Sequence, residues 1–148
     1  MRNWLAPAAG AAFALALAAC ETPAVPGETN LTQSDWTAET IDGKPVIEPG
    51  RVTLSFGEGR VSGRAGCNLY SGPVEYSSGA LKVGPLISTK MACMANGVMQ
   101  QESAYLTTLQ SAQTYAQRSD GRLVIATAAS PTALVFASAP RQQRPDAQ

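Results

Sequence analysis

Apolar and polar residues alternate along residues 51–56: Val52, Leu54 and Phe56 fall on one side, and Arg51, Thr53 and Ser55 on the other. A period of two is the mark of a strand wetted on one face. Gly57-Glu58-Gly59 turns the chain, and residues 60–65 continue as a second strand with Val61, Gly63 and Ala65 on one face, which completes a hairpin. Asp120-Gly121 marks another hairpin, between residues 114–118 and 122–127, because both turn residues tolerate positive φ. Ser130-Pro131 precedes a last strand over 133–137. Residues 36–41, 45–47 and 81–83 are shorter strand candidates bounded by Gly43, Gly79 and Gly84. Eight strands are predicted.

The period changes once. Over residues 97–112, Val98, Met99, Tyr105, Leu106, Leu109 and Ala112 recur at three- and four-residue spacing, with Asn96 placed to cap the first turn. This predicts one amphipathic helix. Many short antiparallel strands and a single helix make the fold class mainly β and argue for an α+β or closed-barrel architecture, with the helix plugging or flanking the sheet. Trp36, Val52, Leu54, Phe56, Leu106, Leu109 and Phe136 sit on the inward phase of their elements and are the expected core.

The chain ends read differently. Arg2 precedes an apolar run over residues 5–19 that closes in small residues, the pattern of a secretory signal over residues 1–19. Its 15 residues fall short of the roughly 20 that a spanning helix needs. Leu17-Ala18-Ala19-Cys20 resembles a bacterial lipobox, which implies acylation of Cys20 and attachment to the membrane through that lipid. Glu21 after the cysteine favours, by resemblance to enteric lipoprotein sorting, the periplasmic face of the outer membrane. Residues 20–33, rich in proline and poor in large apolar groups, are expected to be an extended tether, residues 34–138 the folded domain, and residues 139–148 a disordered tail.

At 148 residues the chain suits one domain with its own core. Its 11 basic residues balance 11 acidic ones, so no cationic field points to nucleic acid. There is no histidine, which removes the commonest general base and the commonest metal ligand. Neither a cofactor nor a metal is expected, and no catalytic residue is assigned. Cys67 and Cys93 are the thiols left once Cys20 is acylated, and an exported chain keeps disulfides, so the two are expected to bond to each other. Such a bridge stabilises by about 3.5 kcal/mol. A zinc site lacks its other ligands, and a redox pair would be spaced more closely. Asn68, in the glycine-flanked stretch Gly66-Cys67-Asn68-Leu69-Tyr70-Ser71-Gly72, reads as a turn residue. Glu102 lies on the apolar side of the helix, where a carboxylate needs donors. Arg64, Lys90 or backbone amides are candidates, and a ligand contact is the alternative. Met91, Met94 and Met99 fit either core filling or an adaptable apolar surface.

Trp36, residues 41–46 (IDGKPV), residues 61–68 (VSGRAGCN), residues 88–93 (STKMAC) and Glu102 together resemble the META domain of HslJ-like lipoproteins. The resemblance spans most of residues 34–137. It implies a small antiparallel β-barrel-like domain interrupted by an amphipathic helix, in a family without established catalysis and loosely linked to envelope stress. In shape it also resembles the pilotin lipoproteins of secretion systems. Three functions compete: a surface or cavity binding an apolar ligand or an envelope protein, a structural or stress-protective domain with no ligand, and an enzyme built on Glu102 with Arg64 or Lys90. An apolar groove near Met91 and Met94 would favour the first, and a filled interior the second.

Overall fold

The structure, a computed structural model, describes residues 31–140. The signal segment, Cys20 and most of the tether and tail lie outside the described residues. A 3₁₀ turn, Leu31–Gln33, opens the fold. It is followed by β1 Ser34–Ile41, β2 Lys44–Pro45, β3 Thr53–Phe56, β4 Arg60–Arg64, β5 Leu69–Ser77, β6 Ala80–Val83 and β7 Ile87–Ser88. The helix α1 Val98–Gln110 then leads to β8 Ala112–Gln117, β9 Leu123–Thr127 and β10 Leu134–Pro140. Eight strands close an antiparallel barrel in the order β1-β3-β4-β5-β6-β8-β9-β10, with β10 returning to β1. The two-residue strands β2 and β7 add to β1 and β5. Among the described residues no helix is long and apolar enough to cross a membrane.

Alternation fixes the register. In β3 the pattern of half-buried and buried residues puts Leu54 and Phe56 inside, and the same phase buries Val61, Tyr70, Val74, Leu123, Ile125 and Phe136 in one cluster. Each such side chain contributes about 1.5–3 kcal/mol by leaving water. The ring is uneven. β1 and β10 pair along their whole length, from Ser34↔Pro140 to Ile41↔Leu134, whereas β6 meets β8 at the single pair Ala80↔Thr114, beside a bond from the Tyr115 N–H to the Gly79 carbonyl.

Both ends of the barrel are filled. The Tyr105 ring of α1 packs edge-on against Tyr70 and Phe136, with ring centres 5.6 and 6.4 Å apart. Near the other end of the helix, Thr108 donates to the Asp42 carboxylate at 2.9 Å, just beyond β1. At the start of β1, fully buried Leu31 accepts the Trp36 indole N–H on its carbonyl at 3.3 Å. The domain therefore begins before Ser34: Leu31, assigned to the tether by sequence, is core. Its last strand likewise runs to Pro140 rather than ending at 137.

Other boundaries also differ from the sequence reading. The longest strand, β5, takes the place of much of an expected turn, which shrinks to the residues around Cys67 and Asn68. Pro73 is tolerated in β5 because its nitrogen faces the gap where the neighbour changes from β7, paired at Tyr70 and Ser71, to β6, paired from Val74. Gly72 is needed there, since a Cβ would lie 2.7 Å from the Pro85 carbonyl. The expected strand over 45–47 is only Lys44–Pro45. Gly97, at φ 80°, stands at the N-cap in place of Asn96, and no side chain caps the helix. Leu106 is half-buried at the edge of the core, and Ala112 belongs to β8.

Candidate functional site

The sequence-predicted polar residues converge where the β4–β5 turn meets α1. Glu102 is buried and its Oε2 accepts the main-chain N–H groups of Cys67 and Asn68 at 3.0 and 2.7 Å, while Oε1 accepts the Asn68 side-chain amide at 2.7 Å. Its donors are thus amides, and not Arg64 or Lys90. Arg64 sits at the end of β4, half-buried, with its main-chain N–H bonded to the Thr53 hydroxyl. A carboxylate with three donors is stabilised without a counter-cation.

Asn68 carries the network onward. Its Oδ1 accepts from the Met91 N–H at 2.7 Å and from the Thr89 hydroxyl at 2.8 Å, and its Nδ2 also donates to the Met91 carbonyl at 3.1 Å. The Thr89 hydroxyl in turn accepts the Leu69 N–H at 3.2 Å. The Cys67–Cys93 disulfide spans the same two segments, with Cα atoms 5.9 Å apart. The irregular segment after β7 is thereby fixed to the turn by one covalent bond and one amide. Among the described residues every buried side-chain nitrogen and oxygen has a partner, and no group of three His, Cys, Asp or Glu is placed to hold a metal.

Beneath this network lies a second polar pair. Tyr70 donates to the Thr53 carbonyl at 2.9 Å, which leaves its oxygen to accept from Tyr105 at 2.7 Å. Burial pushes both phenols above their ordinary value, so both stay neutral. Gly63 makes room for them, because a Cβ on it would overlap the Thr53 carbonyl oxygen.

The outer surface beside this network is apolar. A cleft of about 290 Å³ opens between β5 and β7, lined by Leu69, Tyr70, Ser71, Ile87, Ser88 and Thr89. Leu69 is 52% exposed and Ile87 69%. Arg60 donates to the Ser71 hydroxyl at 3.1 Å and places a cation at one edge. Met91 and Met94 are exposed too, so core filling is not their role, and Met99 is half-buried on α1. Leu69 and Ile87 escaped the sequence reading: the first lay inside an assumed turn, and the second in a strand of two residues. Another cleft, of about 280 Å³, lies where Asp42, Lys44 and Ile47 face Gly97 and Gln101 at the start of α1. Its rim is polar, with the Ile47 N–H bonded to Gln101 Oε1 at 2.7 Å.

A family model described as the META domain matches residues 29–140. Among solved structures, an NMR structure of a protein from Burkholderia xenovorans is 30% identical over 75% of this chain and 85% of that one, with a TM-score of 0.59. A second NMR structure is 27% identical over 72% of this chain and 90% of the other, with a TM-score of 0.57. No curated protein matches the chain.

Proposed function

The chain belongs to the META domain family, and from that premise we propose that it is a non-enzymatic bacterial envelope lipoprotein whose barrel binds an apolar ligand or an apolar segment of an envelope protein in the cleft beside β7. The observation that carries this reading is the exposure of Leu69 and Ile87 on a barrel whose own interior is already filled. Large apolar side chains grouped at a cleft mark a place where something else covers them. Catalysis is disfavoured by the lack of histidine and by the state of Glu102, whose two oxygens are engaged by three donors.

The lipobox-like segment supports attachment through Cys20, and Glu21 supports the outer membrane. Ten residues separate Cys20 from Leu31, a tether of at most about 40 Å. The barrel would work close to the bilayer. The link to envelope stress is drawn from the family resemblance. A filled interior also favours a second reading, a structural or stress-protective domain that holds no ligand.

Intact mass spectrometry of the full chain extracted natively from membranes tests both. The expected species begins at an acylated Cys20, retains one disulfide and carries a bound apolar molecule or protein that is lost in the Leu69→Ser, Ile87→Ser variant. Cys20→Ala should accumulate as unprocessed precursor or leave the membrane. Normal processing and membrane retention of Cys20→Ala would overturn the anchor. A species without any bound partner, together with equal uptake of the apolar dye ANS by wild type and the cleft variant, would overturn the binding reading in favour of the structural one.

A further inference from the structure

Methionine in a small domain ordinarily fills gaps in the core. Here Met94 is 96% exposed and Met91 53%. They do not stand on a loose loop. Both peptide groups of Met91 are held by the Asn68 amide, Cys93 between them is bonded to Cys67, and α1 begins at Val98. The backbone is fixed on both sides, and this segment leaves the cleft wall at Thr89, two residues before Met91, whose main chain is bonded to Asn68 beside Leu69 of the same wall.

The disulfide sharpens what this means. Thiolates normally react first with peroxides, but Cys67 and Cys93 are already bonded and offer none. Trp36 is buried. Among the described residues, the accessible reducing groups of highest reactivity are therefore these two sulfurs.

We propose that Met91 and Met94 form an oxidant-reacting site, and that their conversion to sulfoxides closes the adjoining cleft to apolar partners. The oxidant is a hydroperoxide. A sulfur lone pair attacks the distal oxygen of hydrogen peroxide, the O–O bond breaks as the S–O bond forms, and the departing hydroxide takes the proton left on the transferred oxygen to give water. The sulfur loses two electrons and the peroxide gains them. Each event turns an apolar thioether into a strongly polar group, a change that disrupts methionine-lined surfaces. The first half of the proposal stands on the exposure of the two methionines and on the Cys67–Cys93 bond. The second half rests on the reading of the cleft as a binding surface.

The test uses the full chain with its disulfide intact. It is exposed to graded hydrogen peroxide, mapped by peptide mass spectrometry and assayed for ANS fluorescence, with circular dichroism to follow the fold. Met94 should gain one oxygen first, Met91 second and half-buried Met99 last. ANS fluorescence should fall several-fold in the wild type while the fold persists. In the Met91→Leu, Met94→Leu variant, whatever its starting signal, peroxide should leave ANS fluorescence unchanged. Oxidation of Met99 as fast as Met94, or an equal loss of ANS signal in the variant, would overturn the site. If the untreated wild type takes up no ANS, the binding reading falls and the closing of the cleft falls with it, while the order of oxidation still decides the site by itself.

Discussion

Asn68 gives Glu102 two hydrogen bonds, one from its main-chain N–H and one from its side-chain amide, each 2.7 Å long. The other side of the same amide accepts from Met91 and Thr89. Only a group with a donor and an acceptor on one plane serves both. Asn68→Asp sets a carboxylate against the Glu102 carboxylate and the Met91 carbonyl, and is expected to cost at least about 3 kcal/mol in urea unfolding. Glu102→Gln should cost about 1–3 kcal/mol, because its amide can face the main-chain donors or Asn68, but not both well. The double variant should lose less than the sum, since the amide introduced on the helix can donate to the carboxylate introduced in the turn. Strict additivity would refute the geometry.

Gly63 is predicted to be irreplaceable for a reason unrelated to backbone freedom. The Thr53 carbonyl occupies the space a Cβ needs and also accepts the Tyr70 hydroxyl. Gly63→Ala should destabilise by about 3 kcal/mol or more, as a clash with main chain cannot be relieved by a rotamer change. A loss below about 1 kcal/mol would mean that β3 and β4 sit farther apart.

Alkaline pH should unfold the barrel through its two buried phenols. Both Tyr70 and Tyr105 have folded pKa values raised above the ordinary 10. The stability they contribute is complete below about pH 10 and is lost as pH climbs toward the folded values, because the unfolded chain releases protons that the folded chain retains. The expected slope is about 2.7 kcal/mol per pH unit for the pair, and Tyr105→Phe should halve it. Phenolate absorbance at these sites should rise with unfolding, and a rise ahead of it would contradict their burial.

Replacing both bridging cysteines with serine should cost about 2–5 kcal/mol. The barrel should survive, because Glu102 still holds the same turn. Hydrogen exchange should quicken over residues 89–96 far more than over β1 or β10. Thiol labelling of the denatured, unreduced wild type should leave Cys67 and Cys93 unmodified.

The strand hairpins and the inserted helix were legible in the chain because each rests on a local signal, period two in β3 and period 3.6 in α1. The cysteine pairing was legible once Cys20 was set aside for acylation, and the closing of the barrel was implied by the family resemblance, since the β1–β10 pairing leaves no local trace. β5 was not legible. Its Gly72 and Pro73 are turn residues by propensity, and they fit a strand only because neighbouring strands change there, which is a tertiary circumstance. Leu31 was hidden by the prolines before it, and nothing local says that it seals the barrel under Trp36. Glu102 was legible as anomalous, since its spacing put a carboxylate among apolar residues. Its donors were not, because they come from a turn more than thirty residues away. The exposed methionines defeated a rule that follows hydrophobicity, since a disulfide and an amide fixed their backbone outward.

The pairing of β1 with β10 joins the first described strand to the last. A chain emerging from its N-terminus cannot complete the ring until Pro140 has appeared. Until then β1 leaves one edge bare, and the growing sheet offers that edge to any other extended chain. The last strand is in this sense the clasp, and a truncation before Leu134 should yield no smaller, looser version of the barrel but an open sheet that associates with its own copies.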